Sequence, residues 1–394
     1  MNERNNNTEI LVLPSWYPSE VEKFAGDFIQ RHIEAIALYC HQFVIHVVKD
    51  EHAKITKNVV SFATIKNNFT EQIIYYHIKK TGFGLLDKLL SNRKYNRVYK
   101  NAIKTYVKNS GKPALVHVHV AMKAGMMAVW LKRKYSIPYI LSEHWSGYLL
   151  VSDLKFIDYN IAFKIWTKRV FAKASAVTVV SDYLGKEIQR LFPSVKYSVI
   201  PNVVNSEIFY PVEKRPSDTA LFIHASTMNY EKNVEGILKA FNIVKKTNPH
   251  FLLHLYGAQN ESINKWISSF QLNENVVCYG EVSQKELASA MQQSDALIMN
   301  SRFETFGCVV IEANACGVPV IVSDIPVSHE LITENVNGVF AAENNPEKLS
   351  EVILSFLDKR NSFNQLEIAS TAEKYSYKNV GRQFYELYQS VFAE

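Results

Sequence analysis

Short apolar runs alternate along this chain with longer segments in which apolar positions recur every three or four residues. A run of four to six apolar residues bounded by turn formers is typical of a strand buried on both faces, and the longer pattern is typical of a helix. The runs predict strands at Ile10–Pro14, Phe43–Val48, Ile73–His77, Ala114–His119, Tyr139–Ser142, Ala176–Val180, Leu221–Ala225, Phe251–Tyr256, Val276–Tyr279, Ala296–Met299, Pro319–Val322 and Gly338–Phe340. The longer segments predict helices at Gly26–Tyr39, Leu86–Lys108, Lys123–Lys134, Tyr183–Leu191, Val234–Lys246, Gln284–Gln293 and Phe306–Cys316. This alternation predicts an α/β protein with parallel sheets.

A junction between two domains is predicted at Ile200–Pro216, where turn formers such as Pro201, Asn202 and Pro211 accumulate. The 394 residues suffice for two packed cores. We therefore expect two doubly wound, Rossmann-like domains that face each other across a cleft. Ligands of such open sheets bind beyond the carboxyl ends of the strands.

The charge differs between the two halves. Residues 1–205 contain 29 Lys or Arg against 15 Asp or Glu, whereas residues 206–394 contain 15 against 23. Twelve basic residues and no acidic residue lie between Asp87 and Glu143. The helix Leu86–Lys108 combines an apolar side with many of these charges, so the basic 88–134 region predicts contact with an anionic membrane surface. The alternative is a solvated outer face. No nucleic-acid-binding motif accompanies the charge, so nucleic acid is not expected.

Several other classes of protein are disfavoured. The four cysteines form no CxxC pair, which excludes a zinc ribbon and favours small buried thiols. The polar start of the chain lacks the apolar core of a secretory signal, and no run approaches the ~18 apolar residues of a membrane span. We expect a cytoplasmic protein, peripheral at the inner face of the plasma membrane.

Asn300–Pro319, NSRFETFGCVVIEANACGVP, is the most informative segment. A helix that begins near Phe306 directs backbone N–H groups at the end of the preceding strand, where a phosphate is favoured. Glu304 in the loop could accept hydrogen bonds from sugar hydroxyls. Glu312, nearly two turns into the helix, could bind a ribose diol. The alternative is a pair of ordinary surface carboxylates.

This segment resembles the E-x7-E region of the family 4 retaining glycosyltransferases, which have the two-domain GT-B fold. The resemblance extends over most of the chain. Further matches are Pro14–Pro18 and Phe24–Phe28 near the start, Ser142–Trp145, Tyr230–Asn233, Tyr279–Val282, Asp295, Gly317–Val320, Glu330 and Asn337–Gly338.

The resemblance implies that a sugar passes from a nucleotide-activated donor, a UDP- or GDP-sugar, to a glycan or lipid-linked acceptor with retention at the anomeric carbon. It implies an N-terminal acceptor domain, residues 1–203, onto which the final helix at 378–394 packs back, and a C-terminal donor domain, residues 204–377. The implied pathway is lipopolysaccharide, capsule or exopolysaccharide synthesis.

The resemblance also implies roles for individual residues. His144, Glu304 and Lys232 are the catalytic candidates, with Lys232 neutralising the donor diphosphate. The expected donor-binding residues are Gly26, Val282, Thr305, Phe306, Gly307, Cys308 and Glu312. Asp27 and Glu143 are weaker candidates for contacts with the acceptor. For His144 and Lys232 the alternatives are a structural histidine at a strand end and a solvated lysine.

The sequence departs from the family pattern at the diphosphate. The family's arginine before the lysine is missing from His224–Met228, and Arg302 is expected to face solvent rather than replace it. The family's paired glycines before Glu330 are also replaced, by Pro326-Val327-Ser328-His329, and Gly26 stands where a Gly-Gly pair is usual. These changes leave the donor open.

No metal or other cofactor is expected. His117 and His119 alternate along one strand, but two histidines without a third ligand do not make a metal site. Asp-x-Asp, the motif of metal-dependent transferases, is absent from the sequence. Three alternatives to a transferase remain: a nucleotide-sugar epimerase or a phosphorylase of the same fold, and a nucleotide-binding module without catalysis.

Overall fold

The computed structural model describes residues 9–214 and 217–393, so Pro216 of the predicted junction, the first eight residues and the last residue lie outside it. The chain divides into two compact units. Unit 1 takes the residues up to Val180, Leu184–Pro201 and the residues from Val380 onward. Unit 2 takes Ser181–Tyr183 and Asn202–Asn379.

Unit 1 is built on an eight-stranded sheet with the order β3-β4-β2-β1-β5-β6-β7-β8. Its strands are β1 Ile10–Pro14, β2 Gln42–Lys49, β3 Val59–Lys66, β4 Phe69–Tyr76, β5 Leu115–His119, β6 Tyr139–Glu143, β7 Ala176–Val179 and β8 Ser198–Val199. All pairs are parallel except β3 with β4. Every residue of β1, β5 and β6 is buried, as expected where helices cover both faces of a parallel sheet.

The helices of this part of the chain are α1 Asp27–Ala37, α2 Gly84–Ser110, α3 Gly125–Tyr135, α4 Ile161–Lys173 and α5 Asp182–Leu191, joined at the end by α13 Tyr377–Ala393. The last helix packs on the first, where Tyr385 stacks on Tyr39 with ring centroids 5.8 Å apart. Farther along, the Tyr388 hydroxyl lies 2.6 Å from Nδ1 of His117. The final helix therefore completes the core of unit 1 from the other end of the sequence.

Unit 2 is built on a six-stranded, fully parallel sheet with the order β11-β10-β9-β12-β13-β14. Its strands are β9 Ala220–Ala225, β10 Phe251–Tyr256, β11 Val276–Gly280, β12 Ala296–Met299, β13 Val320–Ser323 and β14 Gly338–Ala341. Its helices are α6 Val234–Thr247, α7 Glu261–Ser269, α8 Gln284–Gln293, α9 Cys308–Ala315, α10 Ser328–Leu331, α11 Pro346–Lys359 and α12 Gln365–Ala372. The two sheets, one mainly and one fully parallel, confirm the predicted α/β class.

No helix in the described chain is both long and apolar enough to cross a bilayer. The longest helix, α2, carries seven Lys or Arg residues, which excludes a spanning role. The four cysteines are free thiols, with Cys40 and Cys316 buried and Cys278 and Cys308 half-buried.

Buried histidines occur in both cores. His46 on β2 lies with Nδ1 3.2 Å from the Pro14 carbonyl oxygen, and His224 on β9 lies with Nδ1 2.8 Å from that of Ile298. Burial lowers the pKa of each imidazole to about 4. Each ring is therefore neutral in the folded protein at pH 7.

Replacing His46 with Gln should weaken the dependence of stability on pH. Because the folded-state pKa lies below that of the unfolded chain, unfolding takes up a proton between about pH 6.5 and 4, and stability falls as the pH falls through that window. The variant loses up to one proton of this dependence, about 1.4 kcal/mol per pH unit. Urea unfolding at a series of pH values measures it, with exposed His250→Gln as the matched control. Parallel curves for wild type and His46→Gln would contradict the assignment.

Candidate active site

The loop after β9 in unit 2 positions Lys232. A single helical turn, Tyr230–Lys232, precedes Asn233. Asn233 has a φ of 52° and is the N-cap residue of α6. The Asn233 side-chain amide donates to Oδ1 of Asn300 at 3.1 Å, just beyond the carboxyl end of β12. This hydrogen bond fixes the loop that carries Lys232 against the loop that carries Glu304.

Lys232 and Glu304 form a mostly buried ion pair, in which Glu304 is buried and Lys232 is half-buried. Nζ of Lys232 lies 2.6 Å from Oε1 of Glu304 and 3.7 Å from Oε1 of Glu231. The Ser301 hydroxyl donates to the same Glu304 oxygen at 2.9 Å. Burial opposes the charge on Lys232, but the carboxylates of Glu304 and Glu231 outweigh it and raise the pKa of the lysine. The ammonium is therefore charged at neutral pH and held in one place.

Helix α9 begins beside this pair. Gly307 caps it with a φ of 106°, a conformation that a residue with a Cβ rarely adopts. The helix starts at Cys308, two residues later than the sequence predicts. Phe306 is buried and packs edge-on against Tyr375, with ring centroids 5.7 Å apart. The amino end of α9, the end that favours an anion, thus follows Glu304 by only four residues.

The remaining donor-site candidates of unit 2 lie on nearby loops and on helix α9. Glu312, on α9, is buried, and Val282, between β11 and α8, is half-buried. Thr305 and Cys308 are also half-buried, and the Thr305 carbonyl oxygen accepts a hydrogen bond from the Ser181 hydroxyl at 2.7 Å. These residues follow the carboxyl ends of β11 and β12, the edge at which open α/β sheets bind ligands.

Where the family has its arginine, this chain has two neutral side chains, those of His224 and Ser226. His224 Nε2 lies 2.8 Å from the Ser226 hydroxyl, which also accepts from the Met228 amide at 3.0 Å. Arg302 is half-buried beside this loop, and whether it replaces the missing arginine stays open. Its guanidinium lies 4.1 Å from the centroid of the Tyr230 ring and donates to the Tyr230 carbonyl oxygen, because stacking on an aromatic face suits a planar cation.

Glu330, a further match to the family pattern, serves a structural purpose. Its carboxylate accepts hydrogen bonds from the backbone amides of Asp182 and Tyr183, both at 2.8 Å. Those two residues cluster with unit 2, so the contact ties this short segment to helix α10, which carries Glu330.

In unit 1, Gly26 and Asp27 lie at the start of α1. Gly26 has a φ of 69°, and a Cβ there would lie 2.6 Å from the Trp16 carbonyl carbon, so the loop after β1 requires glycine. The Asp27 carboxylate pairs with Arg31 at 2.9 Å along the helix. Asp27 is half-exposed and remains a candidate for contact with an acceptor.

The structure does not support an acceptor contact for Glu143. The carboxylate is completely buried at the end of β6 and accepts hydrogen bonds from the amides of Ala121, His144 and Trp145 at 3.0, 2.9 and 3.1 Å, and from the Tyr148 hydroxyl at 3.1 Å. Burial raises its pKa and these bonds oppose the rise. Because four donors occupy it, Glu143 organises the loop that presents His144.

His144 lies in a cluster of buried imidazoles. Its Nε2 is 3.2 Å from Nδ1 of His119, and its ring lies 5.0 Å from the Phe28 ring and 5.5 Å from the His32 ring. Burial lowers the pKa of His119 and His144 well below the usual value and that of His32 to about 4. The cluster is therefore neutral at pH 7.

His119 has two histidine neighbours that the sequence did not indicate. His32, His119 and His144 each offer one ring nitrogen, all within 4.8 Å of one another, so these three could hold a metal ion. His117 does not join them, because its nitrogens are engaged by Tyr388 and Ser142 at 2.6 and 2.7 Å. The expectation that the protein works without a metal stays a prediction.

Three residues that contribute to these sites could not be identified from the sequence. His32 lies on α1, far from His119 and His144 in the chain, and no spacing rule connects it to them. Ser301 lies inside the segment already singled out, but a serine three residues before a glutamate is too common to indicate a partner. Asn300, the strand-end residue that anchors Asn233, was visible only as the first letter of that segment.

Two family models match the chain. Residues 58–208 match "Glycosyltransferase Family 4", and residues 205–375 match "Glycosyl transferases group 1". A Klebsiella pneumoniae protein described as an "uncharacterized 41.2 kDa protein in cps region" is 39% identical over 79% of this chain and 88% of its own length. An uncharacterized glycosyltransferase from Methanocaldococcus jannaschii is 29% identical to this chain, which spans 65% of that protein's length. For the other first curated relatives, this chain spans between 61% and 75% of their length.

Solved structures share the fold. A sucrose-phosphate synthase from Thermosynechococcus elongatus superposes with a TM-score of 0.76 at 18% identity, covering 98% of this chain and 99% of that one. Anabaena Alr3699/HepE, solved with UDP and glucose, superposes with a TM-score of 0.69 at 14% identity, covering 97% and 99%. The fold and the family models agree with the motifs, and the chain belongs to glycosyltransferase family 4, with the GT-B type of fold.

Proposed function

We propose that the protein is a retaining glycosyltransferase. It transfers a hexosyl group from a nucleotide-activated sugar, a UDP- or GDP-sugar, to a glycan or lipid-linked acceptor, and it needs neither a metal nor another cofactor. The observation that carries the proposal is the mostly buried Lys232–Glu304 pair beside the amino end of α9. A fixed ammonium and a helix amino end are the two groups that stabilise a departing diphosphate.

Glu304 and Glu312 do not act as the acid and base of a glycosidase, in which both carboxylates flank the bond that breaks. Glu304 holds Lys232 and is available to a sugar hydroxyl, while Glu312 is proposed for the ribose. The leaving diphosphate takes the acceptor proton as the acceptor arrives on the same face of the sugar. Lys232 and the amides around Phe306, Gly307 and Cys308 supply positive potential, and His144 is the proposed histidine of the acceptor domain.

The proposed setting is the cytoplasmic face of the plasma membrane, in synthesis of capsule, lipopolysaccharide or exopolysaccharide. Two observations support it. The Klebsiella relative is described as lying in a cps region. The basic residues predicted to meet an anionic surface lie along α2, where Arg93, Arg97 and Lys104 are exposed.

The reaction class is tested by product analysis. With donor and acceptor, the new glycosidic bond should keep the donor's anomeric configuration, read from the anomeric proton coupling in the NMR spectrum. A chelator should leave the rate unchanged. Conversion of the donor in the absence of any acceptor would identify an epimerase, inversion would exclude the retaining assignment, and loss of activity with chelator would point to the histidine cluster as a metal site.

Replacing Lys232 with Met should lower kcat by about a hundredfold to a thousandfold, the usual effect of removing one group that stabilises transition-state charge. The variant also leaves Glu304 buried without its cation, so its melting temperature must be measured alongside the rate. The double variant Lys232→Met/Glu304→Gln removes that unpaired charge and should recover stability without recovering activity.

The matched control is Lys239→Met. Lys239 pairs with Glu235 at 2.7 Å on the same unit, but both side chains are exposed on α6. This variant should keep full activity. Equal activity of Lys232→Met and Lys239→Met would show that Lys232 is not part of the active site.

Replacing Glu312 with Gln should weaken binding of the matching nucleoside diphosphate by about 10- to 100-fold, the range for a lost hydrogen bond to a charged group. A thermal-shift screen with UDP, GDP, ADP, CMP and dTDP identifies the nucleotide. A ligand at 100 times its Kd adds about 2.7 kcal/mol to the stability of the wild type. Glu351→Gln, an exposed carboxylate on α11, is the control and should keep the shift. A full shift with Glu312→Gln would exclude its role at the ribose.

A further inference from the structure

A groove in unit 1 lies between α2 and the β3–β4 hairpin. Its volume is about 1020 Å³. One wall is a stripe of α2 that includes Leu90, Arg93, Arg97, Asn101 and Thr105, residues spaced three or four apart and so on one side of the helix. The other wall is the hairpin face that carries Val59 and Ile74. From Leu90 to the end of the stripe at residue 105, the groove follows about 22 Å of helix.

The packing of α2 explains why the groove stays open. The helix buries a different side, formed by Tyr95, Tyr99, Ile103 and Tyr106, against the sheet. The facing hairpin also carries Ser61 and Gln72 along the groove, and the Gln72 amide donates to the Ser61 hydroxyl at 3.0 Å. These side chains do not reach across to the stripe, so its apolar and cationic groups remain accessible.

The charge of the groove has one sign. Five basic residues and no Asp or Glu are among its lining residues. Lys94 is held across one end, where its Nζ donates to Oδ1 of Asn58 at 2.9 Å and to the His77 carbonyl oxygen at 2.7 Å. Arg93 and Arg97 are exposed, and within residues 9–214 and 217–393 neither has an ion-pair partner. Two guanidinium groups one turn apart can bind the oxygens of one phosphate.

Apolar groups accompany these charges. The surface inside the groove is mainly apolar, with Ile74, Leu90 and Val98 among the contributors. Immediately before the groove, the first turns of α2 expose four large apolar side chains: Phe83, Leu85, Leu86 and Leu89. Leu85 is 89% exposed, an arrangement that is costly in water and favourable in lipid.

We propose that this groove binds an anionic membrane lipid, with the lipid phosphate at Arg93 and Arg97 and an acyl chain along the apolar walls. The exposed start of α2 enters the same leaflet. Beyond Arg97 the groove follows about 12 Å of helix to residue 105, most of the ~15 Å depth of one hydrocarbon leaflet, so it accommodates much of a chain. A single-stranded nucleic acid fits less well, because no Phe, Tyr or Trp lines the groove to stack on bases.

The proposal rests on the membrane setting given under the proposed function and deepens it. A basic helix on a membrane surface requires only charge. The groove adds a defined place for one lipid, which makes the effect of removing two charges depend on where they are.

The test compares two double variants of α2. Arg93→Gln/Arg97→Gln removes two charges from the groove, and Lys104→Gln/Lys108→Gln removes two exposed charges of the same helix outside it. Both are assayed by co-sedimentation with vesicles of phosphatidylcholine containing phosphatidylglycerol. The groove variant should bind at least about 30-fold more weakly than wild type, the effect of two basic contacts, and the control only a fewfold more weakly. Equal losses would overturn the groove, since only net charge would then matter.

A second measurement separates lipid from free phosphate. Calorimetry with dihexanoyl phosphatidylglycerol as a monomer, with glycerol 3-phosphate and with dihexanoyl phosphatidylcholine tests chain and charge separately. The anionic short-chain lipid should bind to wild type and not to the groove variant. Binding of glycerol 3-phosphate with equal affinity would overturn the lipid assignment, as would equal binding of the phosphatidylcholine.

Folding and the transferase site are checked in the same samples. Both double variants should keep the wild-type melting temperature and the wild-type thermal shift with the nucleoside diphosphate. If the wild type transfers sugar to a soluble acceptor but does not bind vesicles, the groove proposal is wrong and the transferase proposal stands. If it binds vesicles but no nucleotide or acceptor elicits a response, the transferase proposal fails alone.

Discussion

Parallel strands constrain this protein more than any single contact. In unit 2 every strand runs the same way, so every loop that follows a strand emerges at one edge of the sheet. The loops after β9, β11 and β12 carry Lys232, Val282 and Glu304 to that edge. Because helices must cover both faces of such a sheet, a helix also begins there, and α9 brings its amino end. The residues that make up the candidate donor site meet for a topological reason.

Burial then decides what these residues can do. A mostly buried ion pair such as Lys232–Glu304 contributes little to stability, because removing both charges from water costs about as much as their attraction returns. The ion pair matters because it fixes the position of the lysine. Glu304 keeps the lysine charged and fixed before any diphosphate arrives, so less reorganisation is needed when negative charge develops. Asn233 with Asn300, and Ser301 with Glu304, extend the same restraint into the loops.

The sequence predicts strands and helices that show clear periodicity or continuous burial. It does not predict contacts between side chains from distant segments. Strands β1 and β12 are continuous apolar runs, and their predicted bounds match the observed ones. Strand β3, VVSFATIK, was missed because it is an edge strand with mostly exposed residues. Glu143 resembled a site residue, but its four hydrogen-bond donors come from folding of the loop around it. The stacking of Arg302 on Tyr230 could not be predicted either, because the two residues are 72 positions apart in the chain.

The uneven charge of the two halves acquires a physical meaning from these placements. Unit 1 has the excess of basic residues, yet its buried centre is a set of neutral imidazoles, and its cations lie outside, along α2 and the groove beside it. Unit 2 has the excess of acidic residues, yet it holds a mostly buried cation beside the helix that would receive a phosphate. Net charge alone would assign the anionic donor to the basic half. Since a charge acts strongly only where water is excluded, the mostly buried lysine of the acidic half is better suited to a diphosphate, and the exposed arginines of the basic half to a surface.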